Sequence, residues 1–358
     1  MRTLSGIHLQ NHSAAAWCQV TGLALLCLLT AVPAAAQIVE AAGGRALGMG
    51  GAFVAVASDS SATWWNPAGL AAGPYVDIAW AKSLLQTTER LPAGRDRTSS
   101  FALVTPPIGI SYYRFRITDI QPFDPTGQGA AGREDTRPAG VPVRSWSASQ
   151  VGVTVVRTLT TGVHVGTTLK YVRGVLRDGR DDGLSRPEDL LAQGEALDGG
   201  RAENRFDLDV GVLATAGPVR LGAVVRNVRE SEFHRAGSAA DAPSAGMRLP
   251  RQIRVGAAFD AEVAMGVPLT VAVDADMRAY ATTTGVRRMV ALGAEHWFLA
   301  KRVGVRAGGR ANTRGARERS ATAGLTLAVR GGLYLDGHAV RGDSAGERGW
   351  GLATRVSF

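Results

Sequence analysis

The chain ends on Trp350-Gly-Leu-Ala-Thr-Arg-Val-Ser-Phe358, and this stretch decides the fold. Trp350, Leu352, Thr354, Val356 and Phe358 occupy alternate positions. Side chains two residues apart lie on the same face of a β-strand, so the pattern predicts a strand with one mainly apolar face. An amphipathic strand that closes on an aromatic residue is typical of the segment that outer-membrane barrels present to their assembly machinery. We therefore expect Trp350, Leu352, Val356 and Phe358 to form a C-terminal assembly signal.

The same alternation recurs along most of the chain, as in Val151-Gly-Val-Thr-Val-Val156 and Phe206-Asp-Leu-Asp-Val-Gly-Val212. Fourteen such runs are found, over residues 75–85, 97–105, 109–118, 145–158, 162–176, 203–217, 219–229, 251–262, 267–279, 287–298, 302–311, 319–329, 332–340 and 349–358. Most exceed the roughly 5–6 residues of an average globular strand and reach the roughly 9–11 that cross a membrane at a tilt. The sequence thus predicts an all-β fold, a 14-stranded antiparallel transmembrane β-barrel.

The composition excludes two other classes of protein. Hydrophobic residues make up 45% and charged residues 20% of the 358 residues, which excludes an intrinsically disordered chain. The mean hydropathy of +0.01 excludes a bundle of transmembrane helices, because each helix needs an apolar run of about 20 residues. The 45 glycines argue against an all-helical fold as well, since Gly weakens helix interiors.

The connections between the predicted strands alternate in length. The short ones follow the even-numbered strands and include Pro106-Pro107 and Pro218. The long ones follow the odd-numbered strands, at about 86–96, 119–144, 177–202 and 230–250. An up-and-down barrel has this arrangement, with tight turns at one rim and long loops at the other. Within the third long connection, residues 188–196 are predicted to form one short helix.

The two faces of the predicted strands differ in polarity. The apolar face is expected to contact lipid, because an unpaired charge at the bilayer midplane costs about 2–4 kcal/mol on such a strand. It includes Val163, Val165, Leu169, Tyr171, Phe206, Leu208, Val210, Val212, Val271, Val273, Leu325, Leu327 and Val329. The opposite face is expected to line the lumen with charges. These charges are Lys170, Asp207, Asp209, Arg254, Asp274, Asp276, Arg302 and Arg306.

The N-terminal 36 residues have the pattern of an export signal. They contain no Asp or Glu, and an apolar run spans Val20 to Val32. Ala34-Ala-Ala36 follows, which predicts a secretory signal peptide over residues 1–36 with cleavage near Ala36. Both cysteines fall inside this signal, so the mature chain is expected to hold no disulfide and no thiolate site. The predicted location is the cell outer membrane of a Gram-negative bacterium.

A segment without clean alternation, residues 37–73, separates the signal from the barrel at 74–358. It is rich in glycine and contains Trp64-Trp-Asn-Pro-Ala68. Its glycines lack the Lys-Ser/Thr and the strand–turn–helix frame of a phosphate-binding loop. We therefore expect a compact plug, or hatch, inside the lumen, where glycine permits close backbone approach. Trp64 and Trp65 are candidates to wall an apolar pocket.

This segment resembles a known family. Gly44-Arg-Ala-Leu-Gly-Met-Gly-Gly-Ala-Phe-Val-Ala-Val-Ala57, followed by Trp65-Asn-Pro-Ala-Gly-Leu70, is similar to the PorV/PorQ branch of the FadL-like outer-membrane barrels. Shorter pieces such as Leu169-Lys-Tyr-Val-Arg173 and Val225-Arg-Asn-Val228 extend the resemblance along the mature chain. The resemblance implies a 14-stranded barrel with an N-terminal hatch. It also implies that Asn66, Pro67 and Ala68 form the hatch motif.

Two functions follow from the resemblance. The first is passive transport of hydrophobic small molecules across the outer membrane, with a ligand leaving through a gap in the wall. The alternative is a PorV-type accessory or adaptor barrel of a protein secretion system of type IX, with residues 119–144 and 177–202 as the docking surface. A structural barrel without transport activity is the third possibility.

The sequence shows no catalytic constellation, so we expect neither an enzyme nor a cofactor. Asp207 with Asp209, and Asp274 with Asp276, either chelate a cation or pair with lumen arginines, and pairing is the preferred interpretation. Expected partners are outer-membrane lipid and lipopolysaccharide, the barrel assembly machinery, and a hydrophobic ligand or a secretion partner. The high isoelectric point of 10.2 fits contact with lipopolysaccharide or lumen ion pairs, and nucleic acid is not expected.

Overall fold

The structure is a computed structural model that describes residues 42–89, 92–120, 141–181, 185–234, 246–282, 285–343 and 346–358. The predicted signal peptide and most of the predicted 119–144 loop lie outside these residues. None of the helices in the described ranges is both long and apolar enough to cross a membrane.

The described chain consists mainly of β-strands, and most of them pair with the strands before and after them in the sequence. In chain order they are β1 (Asp77–Thr87), β2 (Ala93–Thr105), β3 (Ile108–Ile120), β4 (Val141–Thr160), β5 (Val163–Asp181), β6 (Ala202–Ala216), β7 (Val219–Arg226), β8 (Glu232–His234), β9 (Gly246–Arg248), β10 (Gln252–Asp260), β11 (Leu269–Asp276), β12 (Tyr280–Thr282), β13 (Gly285–Arg287), β14 (Met289–Phe298), β15 (Val303–Asn312), β16 (Arg319–Arg330), β17 (Leu333–Gly342) and β18 (Arg348–Ser357). All except β8, β9, β12 and β13 form a closed antiparallel barrel of 14 strands. The predicted fold class and strand number are confirmed.

The barrel closes between its first and last strands. β1 pairs with β2 on one side and with β18 on the other, in a register that runs from Asp77 opposite Ser357 to Gln86 opposite Arg348. The N–H of Phe358 donates to the carbonyl of Val76 at 2.9 Å. Trp350, Leu352 and Phe358 point outward and are 52%, 60% and 69% exposed. The C-terminal strand therefore completes the wall and presents its apolar face to the surroundings.

Tight turns gather at one end of the barrel, here called the turn end, and longer connections at the loop end. Pro106-Pro107, Thr161-Gly162 and Gly331-Gly332 are two-residue turns. Three of the four predicted long connections do separate barrel strands by about 20 residues or more. The first connection is shorter than expected. β1 and β2 leave only residues 88–92 between them, because the residues from Ala93 to Asp96 belong to β2 and pair with its neighbouring strands.

Short elements cover the loop end. Helix α3 (Pro187–Ala196) matches the helix predicted at 188–196, and its Leu190 and Leu191 are buried against Ile120 and Val143. Two hairpins, β8–β9 and β12–β13, were not predicted. Their strands have only three residues each, which is too short to establish a period of two.

The wall has the two faces that its sequence predicts. Leu169 and Phe206 are each 56% exposed on the outside, and the other residues predicted to contact lipid are exposed or half-buried. Between them, Lys170 and Asp207 point inward and are nearly fully buried. The alternation holds because closure of the sheet leaves one face inside and the other outside.

Candidate functional site

The lumen is occupied by a plug, here residues 42–73. The plug contains α1 (Gly44–Gly48), α2 (Ala62–Trp65) and a 3₁₀-helix (Pro67–Ala72). Phe53, Val54 and Ala55 are completely buried, although no regular element holds them. A chain segment of such short elements is buried only because the barrel wall surrounds it.

The predicted hatch motif is the point where the plug turns and meets the wall. Asn66 is extended, as residues before proline usually are, and its side-chain oxygen accepts a hydrogen bond from the N–H of Ala68 at 3.1 Å. Pro67 then begins the 3₁₀-helix, where its missing N–H costs nothing. The Asn66 amide donates to the carbonyl of Val54 in the plug at 2.8 Å and to that of Val212 in β6 at 3.0 Å. Asn66 therefore both caps the turn and attaches it to the barrel.

Glycines on the inner wall admit the plug backbone. A Cβ atom at Gly166 would lie 2.5 Å from the carbonyl oxygen of Pro67, and one at Gly308 would lie 2.5 Å from the nitrogen of Gly50. At Gly222 it would lie 2.5 Å from the carbonyl oxygen of Val54. Any larger residue at these positions would displace the plug or bend the strand.

One lumen carboxylate binds the plug through its backbone. Asp274 on β11 accepts hydrogen bonds from the N–H groups of Phe53 and Val54, at 2.8 and 2.9 Å. The sequence offered a cation or an arginine as its partner, so the interpretation of Asp274 is corrected. Backbone N–H groups of a loop carry no sequence signature, and only the folded structure shows them.

A buried ion-pair network fixes the first plug helix. Arg45 donates to Glu295 on β14 from Nε at 2.9 Å and from Nη2 at 2.7 Å, and Arg306 on β15 donates to the same carboxylate at 2.6 Å. Arg45 also lies 3.4 Å from Asp59 within the plug. Sequence reasoning did not single out Arg45 or Glu295, although Arg45 is the one cation in the quoted glycine-rich run.

These pairs keep the plug charges ionised. Burial disfavours the charged form of Arg45, but Glu295 and Asp59 outweigh it and hold the Arg45 pKa above its ordinary value. Burial likewise opposes the ionised Asp59. The charges of Arg45 and Arg355 and the hydrogen bonds from Ser61 nevertheless lower the pKa of Asp59 below that of a free carboxyl. The plug is therefore anchored through formal charges.

Most of the other predicted lumen charges also find partners inside. Lys170 lies 2.6 Å from Asp209, and Arg254 lies 2.8 Å from Asp276. Asp207 accepts from the hydroxyl of Ser231 at 3.0 Å and from the N–H of Arg229 at 3.0 Å. Within the described residues, no group of three or more His, Cys, Asp or Glu side chains is placed to hold a metal ion.

The prediction for Arg302 is wrong. Its position continues the inward alternation of Arg306, but β15 begins only at Val303, so Arg302 lies exposed in the turn after β14. Its N–H donates to the carbonyl of Phe298 at 3.1 Å. Alternation assigns a face only within a strand, and the predicted strand begins at residue 302, one residue before the observed start of β15.

A cavity lies on the loop side of the plug. It is narrow, and only about 20 Å³ of it is open to a water-sized molecule. The lining residues are Trp64, Phe115, Trp146, Gln150, Lys170, Val172, Arg226, Asn227, Leu249 and Gln252. Aromatic rings form much of this wall, and Trp64 packs against Tyr113 and Phe115 at ring distances of 5.1 and 5.2 Å.

The β8–β9 hairpin packs beside this cavity, against Trp146. Phe233 of the hairpin is 1% exposed and lies 5.9 Å from the ring of Trp146. A Cβ atom at Gly174 would lie 2.6 Å from the Phe233 ring, so β5 admits that ring only because glycine stands there. The cavity therefore lies between the plug, which contributes Trp64, and the hairpin, which packs on Trp146.

The two tryptophans predicted to wall an apolar pocket have different positions. Trp64 lines the cavity, and the Arg226 guanidinium lies 5.0 Å from its ring centre. Trp65 lies in the plug interior, where its indole N–H donates to the carbonyl of Ala42 at 2.7 Å and its ring meets Phe53 edge-on. Trp64 is therefore the candidate for ligand contact, and Trp65 supports the plug.

The fold is similar to that of solved outer-membrane channels. The chain matches the "CymD monoaromatic hydrocarbon channel" with a TM-score of 0.62 at 14% identity, over 88% of this chain and 97% of that one. It matches the Pseudomonas putida toluene transporter TodX with a TM-score of 0.55 at 12% identity, over 91% and 99%. A Pseudomonas aeruginosa FadL homologue gives 0.56 at 9% identity, over 90% and 100%. At these identities the likeness establishes a FadL-type barrel fold.

Sequence comparison adds a family. None of the curated proteins matches the chain in sequence. The PorV/PorQ branch indicated by the plug motif is not among these findings and stays a prediction. A family profile does match residues 95–276, which run from β2 to the end of β11 and make up just over half of the chain. The protein therefore belongs to the family described as "F plasmid transfer operon, TraF, protein".

Proposed function

We propose that this protein is an outer-membrane channel through which hydrophobic small molecules pass passively. The observation that carries the proposal is the aromatic cavity between Trp64 of the plug and the β8–β9 hairpin. Ligand sites are typically concave, lined mainly by apolar and aromatic side chains, and equipped with a few polar groups. The FadL-type fold supports the proposal, because the similar solved structures include channels for monoaromatic hydrocarbons and a toluene transporter.

The wall supports the proposed location. Its outward face carries exposed Leu, Val, Phe and Trp side chains along the barrel strands, which is the surface that a bilayer stabilises. We propose that the chain is exported by the signal at residues 1–36, cut near Ala36 and inserted by the barrel assembly machinery through its C-terminal strand. Outer-membrane lipid and lipopolysaccharide would then be its lasting neighbours.

In this arrangement a ligand enters from the loop end, where the hairpin packs beside the cavity. It then needs either a displacement of the plug or an opening through the wall. The plug and the wall are joined by Asn66, Asp274 and the Arg45–Glu295 pair. The adaptor alternative is not favoured, because the similar solved structures named above include a hydrocarbon channel and a toluene transporter.

The experiment measures passage of a small aromatic hydrocarbon into liposomes that contain the purified full-length protein. Toluene is the probe, and Trp64→Ala is the variant. We expect a several-fold lower toluene flux with an unchanged yield of folded barrel, because the floor of the cavity loses its ring while the wall keeps every strand pair.

Trp80→Ala is the matched control, because Trp80 is a strand residue that lies 47% exposed on the outside of β1. It should leave toluene flux unchanged. Toluene flux through the unaltered protein no faster than through protein-free liposomes would contradict the proposed function. Equal flux through the Trp64 variant and the unaltered protein would remove Trp64 from the route.

A further inference from the structure

Two arginines on the outer wall point away from the barrel. Arg114 on β3 and Arg173 on β5 share the outward face with Tyr112 and Tyr171, which precede them by two residues and are exposed. Both arginines are exposed, and among the described residues neither guanidinium has a hydrogen bond or an ion pair. The described part of the chain thus leaves both positive charges without a counter-charge.

The apolar band of the outer wall is short at β3. On β16 the outward residues stay apolar from Ala321 to Val329, which matches the roughly 9–11 residues of a strand that crosses a membrane at a tilt. On β3 they are apolar only from Ile108, beside a tight turn, to Tyr112, which is about half that length. Arg114 is the next outward residue. It therefore lies where a full-length band would meet lipid tails, and it needs a counter-charge that the lipid layer can supply.

The two arginines flank a hydroxyl group. Ser149 on β4 lies opposite Arg114 of β3 on one side and opposite Arg173 of β5 on the other. Neighbouring strands are about 4.8 Å apart, so the two arginine Cα atoms are separated by roughly 10 Å. The hydroxyl of Tyr112 donates to Ser149 Oγ at 3.3 Å, which leaves the Ser149 proton free to donate. An anion over Ser149 would thus meet two guanidinium groups and one hydroxyl donor.

Further cations lie on the loop-end side of Arg114. Arg97 on β2 and Arg116 on β3 stand directly opposite each other, and like charges in this position repel. Glu195 of α3 offsets part of the charge, because it pairs with Arg97 at 2.8 Å. Within the described ranges, Glu195 is the one carboxylate in an ion pair with the arginine group, defined here as Arg97, Arg114, Arg116 and Arg173. Four cations with one carboxylate form a surface that attracts anions.

Exposed rings adjoin the arginine group on its turn-end side. Phe101 on β2 pairs in register with Tyr112 on β3, and Tyr171 on β5 pairs with Phe206 on β6. All four rings are exposed on the outside of the barrel. Aromatic side chains gather where the apolar band of a membrane barrel meets the headgroups. This part of the wall therefore offers rings to acyl chains and, next to them, guanidinium groups to a headgroup.

We propose that the arginine group binds a phosphate of the glycolipid that anchors lipopolysaccharide in the outer leaflet. The phosphate lies over Ser149 between Arg114 and Arg173, and the acyl chains lie against Tyr112 and Tyr171. The planar guanidinium fork matches phosphate oxygens, and the loop end faces outward because the longer connections of such barrels are external. This inference rests on the outer-membrane location in the proposed function and specifies a lipid site there. The competing occupant is the acidic surface of a protein.

The experiment is native mass spectrometry of the full-length protein in detergent. The protein is titrated with bisphosphorylated lipid A, the anchor of lipopolysaccharide, and separately with lipid A from which both phosphates have been removed. The phosphorylated lipid should bind the unaltered protein at least about tenfold more tightly, in line with hydrogen bonds to a charged group. Excess inorganic phosphate should not displace it, because free phosphate lacks the acyl chains. This comparison needs no variant and so does not depend on the folding of one.

Arg114→Gln and Arg173→Gln then remove one charge each and keep a polar side chain. Each should weaken binding of phosphorylated lipid A about tenfold and change binding of the dephosphorylated lipid by less than twofold. Arg319→Gln is the matched control, because Arg319 is an exposed arginine that flanks the full-length apolar band of β16. It should change neither affinity. A heat-modifiability gel confirms that each variant is folded.

The outcomes separate this inference from the channel proposal. Equal affinity for the two lipids, displacement by inorganic phosphate, or unchanged affinity in both arginine variants would overturn the lipid site. So would a protein complex that either variant dissociates, since a protein would then cover these arginines. None of these results alters toluene flux, so the channel proposal would stand. Conversely, lipid binding as expected without toluene flux would remove the channel and keep the lipid site.

Discussion

The plugged part of the lumen and the cavity beside it are built by opposite means. Where residues 42–57 meet the wall, the contacts are ion pairs, backbone hydrogen bonds and glycines that admit the plug backbone. Around the cavity, Trp64, Phe115, Trp146 and Phe233 pack their rings. The polar pairs there, Lys170 with Asp209 and Arg226 with Gln252, join wall strands to one another and do not join the wall to the plug. Both regions face the same closed wall of 14 strands.

The difference indicates which part of the lumen keeps its structure when a ligand binds. A buried ion pair or hydrogen bond is directional and costs several kcal/mol when one partner is removed. Apolar contacts are not directional, and aromatic side chains can repack around a ligand of similar shape. The plug is therefore expected to behave as a fixed stopper and the cavity with its hairpin as the adaptable part.

The largest loss of stability is expected at Glu295, which binds both Arg45 of the plug and Arg306 of the wall. Glu295→Ala removes the carboxylate shared by Arg45 and Arg306, whose side chains are 15% and 0% exposed. Two buried guanidinium groups lose their main counter-charge, which should cost about 3–5 kcal/mol. We expect a lower unfolding temperature by calorimetry, faster proteolysis of the plug and a larger single-channel conductance.

An exposed ion pair provides the matched control for Glu295. Glu262 pairs with Lys301 at 2.8 Å near the turn end, and the two side chains are 45% and 59% exposed. Glu262→Ala should cost less than about 1 kcal/mol and leave conductance unchanged. If both variants lose equal stability and the plug stays protected, the anchor does not depend on the buried charges.

The second-largest effect is expected in the β8–β9 hairpin beside the cavity. Phe233→Ala removes the ring that the β8–β9 hairpin inserts beside Trp146, at a local cost of about 3 kcal/mol. Because β8 and β9 pair only with each other, the barrel strands keep their registers and the plug keeps its anchors. We expect faster cleavage of the hairpin and faster toluene entry at an unchanged unfolding temperature of the barrel. A barrel that unfolds earlier would show that the hairpin is part of the wall.

The smallest effect compares two adjacent glycines on β15. Gly308→Ala places a Cβ against the plug backbone at Gly50, whereas Gly309→Ala meets only the carbonyl oxygen of Ser320, at 3.4 Å. Overpacking a fitted contact costs about 1–3 kcal/mol, so only the first variant should loosen the plug. Proteolysis of the plug measures the difference. Equal protection in both variants would mean that the plug moves aside freely.

Part of the site was readable from the sequence. Alternation placed Lys170, Asp209, Arg254, Asp276 and Arg306 inside a closed sheet, because a strand in such a sheet has one face in and one face out. It failed at Arg302, since alternation gives no strand end. The glycine-rich segment predicted a plug, because glycine permits close backbone approach, and the resemblance to FadL-like barrels implied that Asn66 and Pro67 form its hatch motif.

What the sequence by itself determined is the barrel: its strand number, its two faces and its terminal strand. These follow from local repeats of two residues and from the lengths of the connections. Tertiary structure alone decided the partners across the lumen: Arg45 with Glu295, 250 residues apart, Asp274 with the backbone of Phe53 and Val54, and Phe233 with Trp146. These contacts depend on closure of the sheet and on the path of the plug within it, and no local pattern encodes the distance between residues that meet only after the barrel has closed.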